Sequence, residues 1–218
     1  MIELIRVSRH FPRGRGIEDI SLRVEKGDWV VLVGSAGAGK TTLLRMVYAD
    51  DRPDSGEVVV GNYRLSSLRP KDLPGMRRQL GIVDADLSLV DDRNVYRNVT
   101  LVGEVRGWPR AKTKTAALRV LNRVGLYGHL DLQPRQLSHG ERLRLAIARA
   151  LVAEPEALIA DEPLAMMDEA TADGIVELLA RIHHRGTSLL IATNHPERYN
   201  GYPVRRVRLE RGRLVEGR

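Results

Sequence analysis

Apolar and polar residues alternate along "IELIRVS" (residues 2–8) and again along "IEDISLRV" (17–24). A two-residue period sets one face of a chain against a core and the other in water, so both segments predict half-buried strands. "HFPRGRG" (10–16) between them has the Pro and Gly content of a turn, and these early strands predict an antiparallel side sheet. "WVVLV" (29–33) is continuously apolar, which suits a central strand buried on both faces. "ALIADEP" (157–163) and "SLLIATN" (188–194) predict further strands. "DRPDSGEVVVGNYRL" (51–65) reads as a turn, a strand and a hairpin-like return, and "RPKDLPGMRRQLGIV" (69–83) as a short helix leading to a strand. Helices are expected over about 40–48, 140–154 and 169–184. "VYRNVTLVGEVRGW" (95–108) and "TKTAALRVLNRVGL" (113–126) have helical spacing broken at "WPRAK", so residues 84–135 read as a helical insertion. "RRVRLERGR" (205–213) alternates basic with apolar residues and predicts a closing hairpin with an exposed basic face.

Strands alternating with helices predict an α/β fold: a mostly parallel core sheet with helices on both faces. A chain of 218 residues fits one domain with an insertion. The expected division is a core with its side sheet in residues 1–83 and 136–218, and a helical subdomain in 84–135. Aromatics make up only 4% of the chain, so the core must be mostly Leu, Val, Ile and Ala. The absence of cysteine excludes disulfides and thiolate metal sites and agrees with a reducing, cytoplasmic setting. No apolar run approaches the roughly 18 residues of a spanning helix. Glu3, Arg6 and Arg9 argue against a signal peptide at the start of the chain. A net charge of +7 is compatible with nucleic acid, anionic lipid or a phosphorylated ligand, but the arginines are spread along the chain and not gathered in one block.

"GSAGAGKT" (34–41) fits the phosphate-loop pattern G-x-x-x-x-G-K-[ST]. Glycines at 34, 37 and 39 let the backbone curl so that N–H groups point at phosphate oxygens, with Ser35, Ala36 and Ala38 between them. The following helix adds its positive N-terminal end at Lys40, Thr41 and Thr42. Lys40 supplies a point charge for the β- and γ-phosphates, and Thr41 a hydroxyl ligand for Mg²⁺. The strand "ALIADEP" ends in two acids. Asp161 can hold Mg²⁺ through water, and Glu162 is placed to polarise an attacking water. ATP with Mg²⁺ is the expected ligand.

"LSHGERLRLAIARAL" (137–151), directly before "ALIADEP", resembles the signature motif of the ATP-binding cassette (ABC) ATPases, a P-loop NTPase family. With the phosphate loop and the paired acids, the resemblance covers essentially the whole chain. Within the family, "RRQLGIVDADLSLVDDRNVYRNV" (77–99) resembles most the branch that serves bacterial cell division; branches in lipoprotein release and macrolide export share much of it. The resemblance implies ATP hydrolysis by a homodimer that forms head to tail around ATP. Each ATP would lie between one phosphate loop and the partner's Ser138, His139 and Gly140. Phe11 matches the position that stacks on adenine. An integral membrane permease is the implied partner, which puts the chain on the inner face of the cell membrane. Nucleic acid is not expected, because relatives that bind it generally carry two cassettes or a long coiled-coil insert.

Four positions depart from the family pattern. Ala85 stands where a glutamine contacts Mg²⁺ and the membrane subunit; Gln79 lies too early to replace it, and Asp84 or Asp86 would need a shifted loop. His139 replaces a signature glycine, and Glu141 the final glutamine. Asn194 aligns on the catalytic histidine and cannot exchange a proton near neutral pH. For His195 to serve instead, Pro196 must bend the strand end, because a one-residue slip reverses the side-chain face. These losses predict slow turnover with binding intact. Asp168 is retained, while Met166 and Met167 beside it suit a soft contact to a partner chain.

Overall fold

The first alternating segments form β1 (Ile2–Phe11) and β2 (Arg15–Val24), paired antiparallel in a computed structural model that describes residues 1–12 and 15–215. The tip of the predicted turn at 10–16 and the last three residues of the expected core lie outside the described residues. β1 also pairs antiparallel with β4 (Ser55–Val60), and β5 (Tyr63–Arg64) completes the sheet order β2-β1-β4-β5. The alternation of β1 does not run straight through. Ile2, Leu4 and Val7 face inward while Ile5 is exposed, because the register shifts between Leu4 and Val7. Arg6 sits there at φ 46°, and a side chain at Gly56 would meet its carbonyl oxygen at 2.3 Å. Glycine at 56 therefore admits the bulge.

The second sheet has the order β10-β9-β3-β8-β7-β6. β6 (Leu80–Val83), β7 (Ala157–Asp161), β8 (Ser188–Thr193), β3 (Trp29–Val33) and β9 (Arg205–Glu210) are parallel, and β10 (Arg213–Val215) folds back antiparallel on β9. The apolar runs follow from burial on both faces. Val31, Leu158, Ala160, Leu189 and Ile191 enter one core. Val30, Leu32, Ile159, Leu190 and Ala192 enter the other, shared with the side sheet and with α1 (Lys40–Val47). The predicted closing hairpin does more than close: residues 205–208 of β9 pair with 30–33 of β3, and β9 buries Leu209 while Arg205, Arg206 and Arg208 stay exposed.

A short helix, α2 (Leu73–Arg77), precedes β6. Between β6 and α5 (His139–Leu151) come α3 (Val95–Val105) and α4 (Arg110–Arg123), separated at Trp108 and Pro109. They pack on each other and on α5, and share one core with α6 (Glu169–His184). α5 ends three residues earlier than its pattern predicts. Glu154 adopts φ 52° and precedes Pro155, a residue that disfavours helical geometry before it.

Two side chains hold the loop after β6. Asn98, fully buried on α3, accepts from Val90 N (3.0 Å) and donates to Val90 O (3.0 Å) and Arg93 O (2.7 Å). Arg149 on α5 donates to Leu87 O (2.8 Å) and Ser88 O (2.6 Å). The start of α5 is a capping box: Ser138 Oγ accepts from Glu141 N, and Ser138 N–H donates back to Glu141 Oε2 at 2.8 Å. Donation from the Ser138 backbone, then from its hydroxyl, holds the Glu141 carboxyl below its ordinary value of 4.5.

Three outcomes follow for stability. Asn98→Ala strands buried backbone groups and should cost about 2–3 kcal/mol, read from urea unfolding at neutral pH. Ser138→Ala should cost about 1 kcal/mol. The Glu141 contribution is present above about pH 4.5 and fades as acid protonates the folded carboxylate. The gap in unfolding midpoint between wild type and Glu141→Gln should therefore be open at pH 7 and shrink below pH 4; an unchanging gap would disprove the assignment.

Candidate functional site

The parallel strand order brings the C-terminal ends of β3, β8 and β7 side by side, and the loops leaving them meet. After β3 the chain turns through the phosphate loop. Gly37 and Gly39 have φ of 78° and 107°, values an L side chain resists. Gly34 is bare for a different reason: a side chain there would meet Leu209 O of β9 at 2.4 Å. Within the loop, Gly34 N bonds Thr193 O and Ala38 N bonds Ser35 O. Among the described residues, the N–H groups of Gly37, Gly39, Lys40 and Thr41 take no acceptor. They form a row of donors at a helix N-terminus, which is an anion cradle. Ala36 stands exposed at the loop tip.

Lys40 is only 6% exposed, and its ammonium donates to Gly34 O (2.7 Å) and Ser35 O (3.2 Å). It also lies 3.1 Å from Glu162 Oε1. Glu162 leaves β7 at φ 45°, pinned by its N–H on Ala192 O at 2.9 Å. The adjacent Thr41 hydroxyl donates to Asp161 Oδ2 at 2.6 Å. Asp161 is 9% exposed, and its Oδ1 has no hydrogen-bond partner. Burial, first, and the nearby Glu162 and Asp84 charges raise its pKa, against the Thr41 bond and Lys40. A buried carboxylate with an orphaned oxygen fits a divalent cation, so Thr41 and Asp161 suit Mg²⁺. Among the described residues no three His, Cys, Asp or Glu side chains could hold an ion by themselves, so an ion here would need oxygens from phosphate or water as well.

Phe11 is the last residue of β1 and not part of a loop, as its Pro and Arg neighbours had suggested. It nevertheless borders a cavity of about 220 Å³ with Gly37, Gly39, Lys40, Thr41 and Thr42. The Arg9 guanidinium stands 5.1 Å from its ring centroid. The ring is exposed at the rim of the phosphate loop.

At the strand end of β8, Asn194 and His195 diverge from the expected role. Asn194 meets Glu162 through its backbone: its N–H donates to Glu162 Oε2 at 3.1 Å, while its side chain is exposed. Pro196 does not swing His195 in. The imidazole Nδ1 lies 3.1 Å from Glu197 Oε1 in the following turn, and the side chain is 52% exposed. Asn194 borders a wide groove with Gly34, Ser35, Arg208, Arg211 and Arg213.

Ser138, His139 and Gly140 lie at the start of α5 and border none of the cavities formed by Lys40, Thr41 or Asp161. His139 is exposed; Gly140 is buried, and a side chain there would meet Thr171 Cγ2 at 2.6 Å. Asp168 caps α6 by accepting from Thr171 N (2.9 Å) and Thr171 Oγ1 (2.7 Å). Met166 projects into solvent at 94% exposure.

Gln79 is indeed at the wrong end of β6, beside Gly61. Asp84 and Asp86 line a cavity of about 590 Å³ together with Thr41, Ala85 and Asp161. Tyr48, which no sequence signal singles out, donates to Asp84 Oδ1 at 3.2 Å from the end of α1. Among the described residues no helix is long and apolar enough to cross a membrane.

The comparisons agree with this geometry. The family model described as "ABC transporter" matches residues 17–165. The cell division ATP-binding protein FtsE of Bacillus subtilis is 34% identical over 99% of this chain and 95% of its own length. FtsE of Mycobacterium tuberculosis is 37% identical over 99% and 94%. The methionine import protein MetN of Ralstonia nicotianae is 36% identical, with this chain covering 63% of it. Among solved structures, a dimeric ATP-binding cassette in a post-hydrolysis state with ADP and Pi superposes with a TM-score of 0.88 at 27% identity, over 99% of this chain and 97% of that one. A phosphate loop with free N–H donors, a Thr–Asp metal pair and a Lys–Glu pair at its lip thus sit in a fold shared end to end with such cassettes, and the chain belongs to the ABC transporter family, as an ATP-hydrolysing cassette that binds ATP with Mg²⁺.

Proposed function

We propose that this cassette is an FtsE-like ATPase. It pairs with a second copy around ATP and drives, or signals through, an FtsX-like integral membrane permease at the cytoplasmic face of the membrane. The observation that carries the chemistry is the cluster of Lys40, Thr41, Asp161 and Glu162 beside unpaired loop N–H groups. The cell-division role rests on relatives that match over nearly their full length.

In this reading the N–H groups of Gly37, Gly39, Lys40 and Thr41 receive the β- and γ-phosphate oxygens, and Phe11 stacks on the base. The Lys40 ammonium turns from Gly34 O and Ser35 O to the γ-phosphate, which frees Glu162 Oε1 to accept a proton from the attacking water. Thr41 and Asp161 would hold Mg²⁺, which would supply neutralising charge for the phosphate oxygens. Ser138 and the backbone of Gly140 face the γ-phosphate held by the partner cassette, with His139 beside it. Asn194 offers no exchangeable proton, and His195 is turned to Glu197, so turnover is slow. Full loss of turnover makes the chain an ATP-binding switch; Asn194 and Ala85 are the observations that favour that second reading. The similarity to MetN favours instead a transporter subunit.

Phosphate release by the purified chain, alone and with a reconstituted membrane subunit, tests the assignment. Glu162→Gln should lower turnover about 10²–10³-fold and leave Mg-ATP binding intact. Ala85→Gln combined with Asn194→His should raise turnover by at least tenfold if those two positions limit it. A double variant no faster than wild type removes that explanation, and no Mg-ATP uptake by calorimetry removes the ATPase.

A further inference from the structure

The 590 Å³ cavity behind the phosphate loop is lined by three arginines, Arg45, Arg77 and Arg149, and four aspartates, Asp50, Asp84, Asp86 and Asp161. Its arginines make their hydrogen bonds elsewhere, although the Arg149 charge still acts on Asp84 and Asp86. Arg77 donates to Tyr48 O and Ala49 O, and Arg149 to Leu87 O and Ser88 O. Arg45 stands 4.0 Å from Asp50. That leaves Asp84 and Asp161 facing one space, with the Lys40 and Arg149 charges nearby but no salt bridge to either carboxylate among the described residues. Each carboxylate is held by one hydroxyl and keeps one oxygen over. Tyr48 holds Asp84 Oδ1, and Thr41 holds Asp161 Oδ2. The remaining Asp161 oxygen is buried and orphaned. Asp86 differs: its Oδ1 accepts from Ser88 Oγ within the exposed turn.

Burial, and then the Asp84 charge, push the Tyr48 phenol up, so it stays a proton donor at neutral pH. A donor at a fixed end of α1 sets which Asp84 oxygen is tied and which is free. Hard divalent cations bound with a nucleotide take one or two carboxylates alongside phosphate oxygens and waters, and this pair matches that demand.

We propose that Asp84, aimed by Tyr48, is the side chain of the loop after β6 that gives an oxygen to the nucleotide-bound metal, in the place where Ala85 has no ligand atom. The inference rests on the Mg²⁺ reading of Thr41 and Asp161. Tyr48 is a positioning residue in it. A carboxylate in place of a neutral amide adds one negative charge beside the metal, so the chain should hold a metal–ADP complex more tightly than a variant that is neutral at this position.

Mn²⁺ with ADP is the probe, followed by electron paramagnetic resonance on the full chain, with no turnover required. Asp84→Asn keeps the shape and the Tyr48 contact; it should weaken Mn²⁺ affinity at saturating ADP by at least about tenfold. Asp84→Ala should do the same and admit one more exchangeable water to the Mn²⁺ shell, counted by deuterium exchange. Tyr48→Phe should weaken affinity by about threefold, and Asp86→Asn should leave it unchanged. Folded Asp84→Asn and Asp84→Ala variants with wild-type affinity and water count would overturn the assignment, as would an Asp86→Asn loss equal to theirs. A wild-type chain that takes up no Mn²⁺ with ADP would overturn the metal site itself, and this inference with it.

Discussion

The site depends on a nearly buried ammonium group. A Lys side chain at 6% exposure must find partners to replace water, and Lys40 finds two loop carbonyls and the Glu162 carboxylate. Those three contacts join the exits of β3 and β7, which are not neighbours in the sheet. β8 lies between them, and it contributes as well: Thr193 O takes Gly34 N, Ala192 O takes Glu162 N, and Asn194 N reaches the same carboxylate. Phosphate loop and acid are therefore held by backbone bonds to one strand, so the charged pair adds little rotational freedom of its own.

The same architecture explains why some departures from the family pattern are tolerated. Glu141 works as a capping-box acid at the start of α5, where a carboxylate accepts the Ser138 N–H at least as well as an amide would. Asn194 keeps a main-chain contact to Glu162, but that contact does not supply the exchangeable proton of a histidine side chain. Ala85 is different, since it sits exposed in a turn with no group to offer. The loop around it is nonetheless fixed from two sides, by Asn98 from α3 and Arg149 from α5. A tethered loop gives Asp84 a defined direction and links the metal side of the site to the helix that begins at Ser138.

Much of this was legible in the chain. Strand runs such as "WVVLV" announced burial on both faces, and "GSAGAGKT" between a strand and a helix announced the cradle. Boundaries failed where backbone geometry intervened. The bulge at Arg6 reversed the inward face of β1, and Glu154 before Pro155 ended α5 early. Phe11 read as a turn residue because of the Pro and Gly content of residues 10–16, yet the pairing of β1 with β2 extends the strand through it.

Local pattern determined the elements, the parallel core and the residues able to grip a triphosphate, because those follow from side-chain periodicity and from a short contiguous loop. Which oxygen faces which cation was decided only in three dimensions. Tyr48 and Asp84 are 36 residues apart, Arg149 and Ser88 are 61 apart, and Thr41 and Asp161 are 120 apart. The partner of His195 was likewise visible only in the fold, where its Nδ1 lies 3.1 Å from Glu197 Oε1. Contacts across such separations depend on strand order and helix docking, and no spacing along the chain encodes them directly.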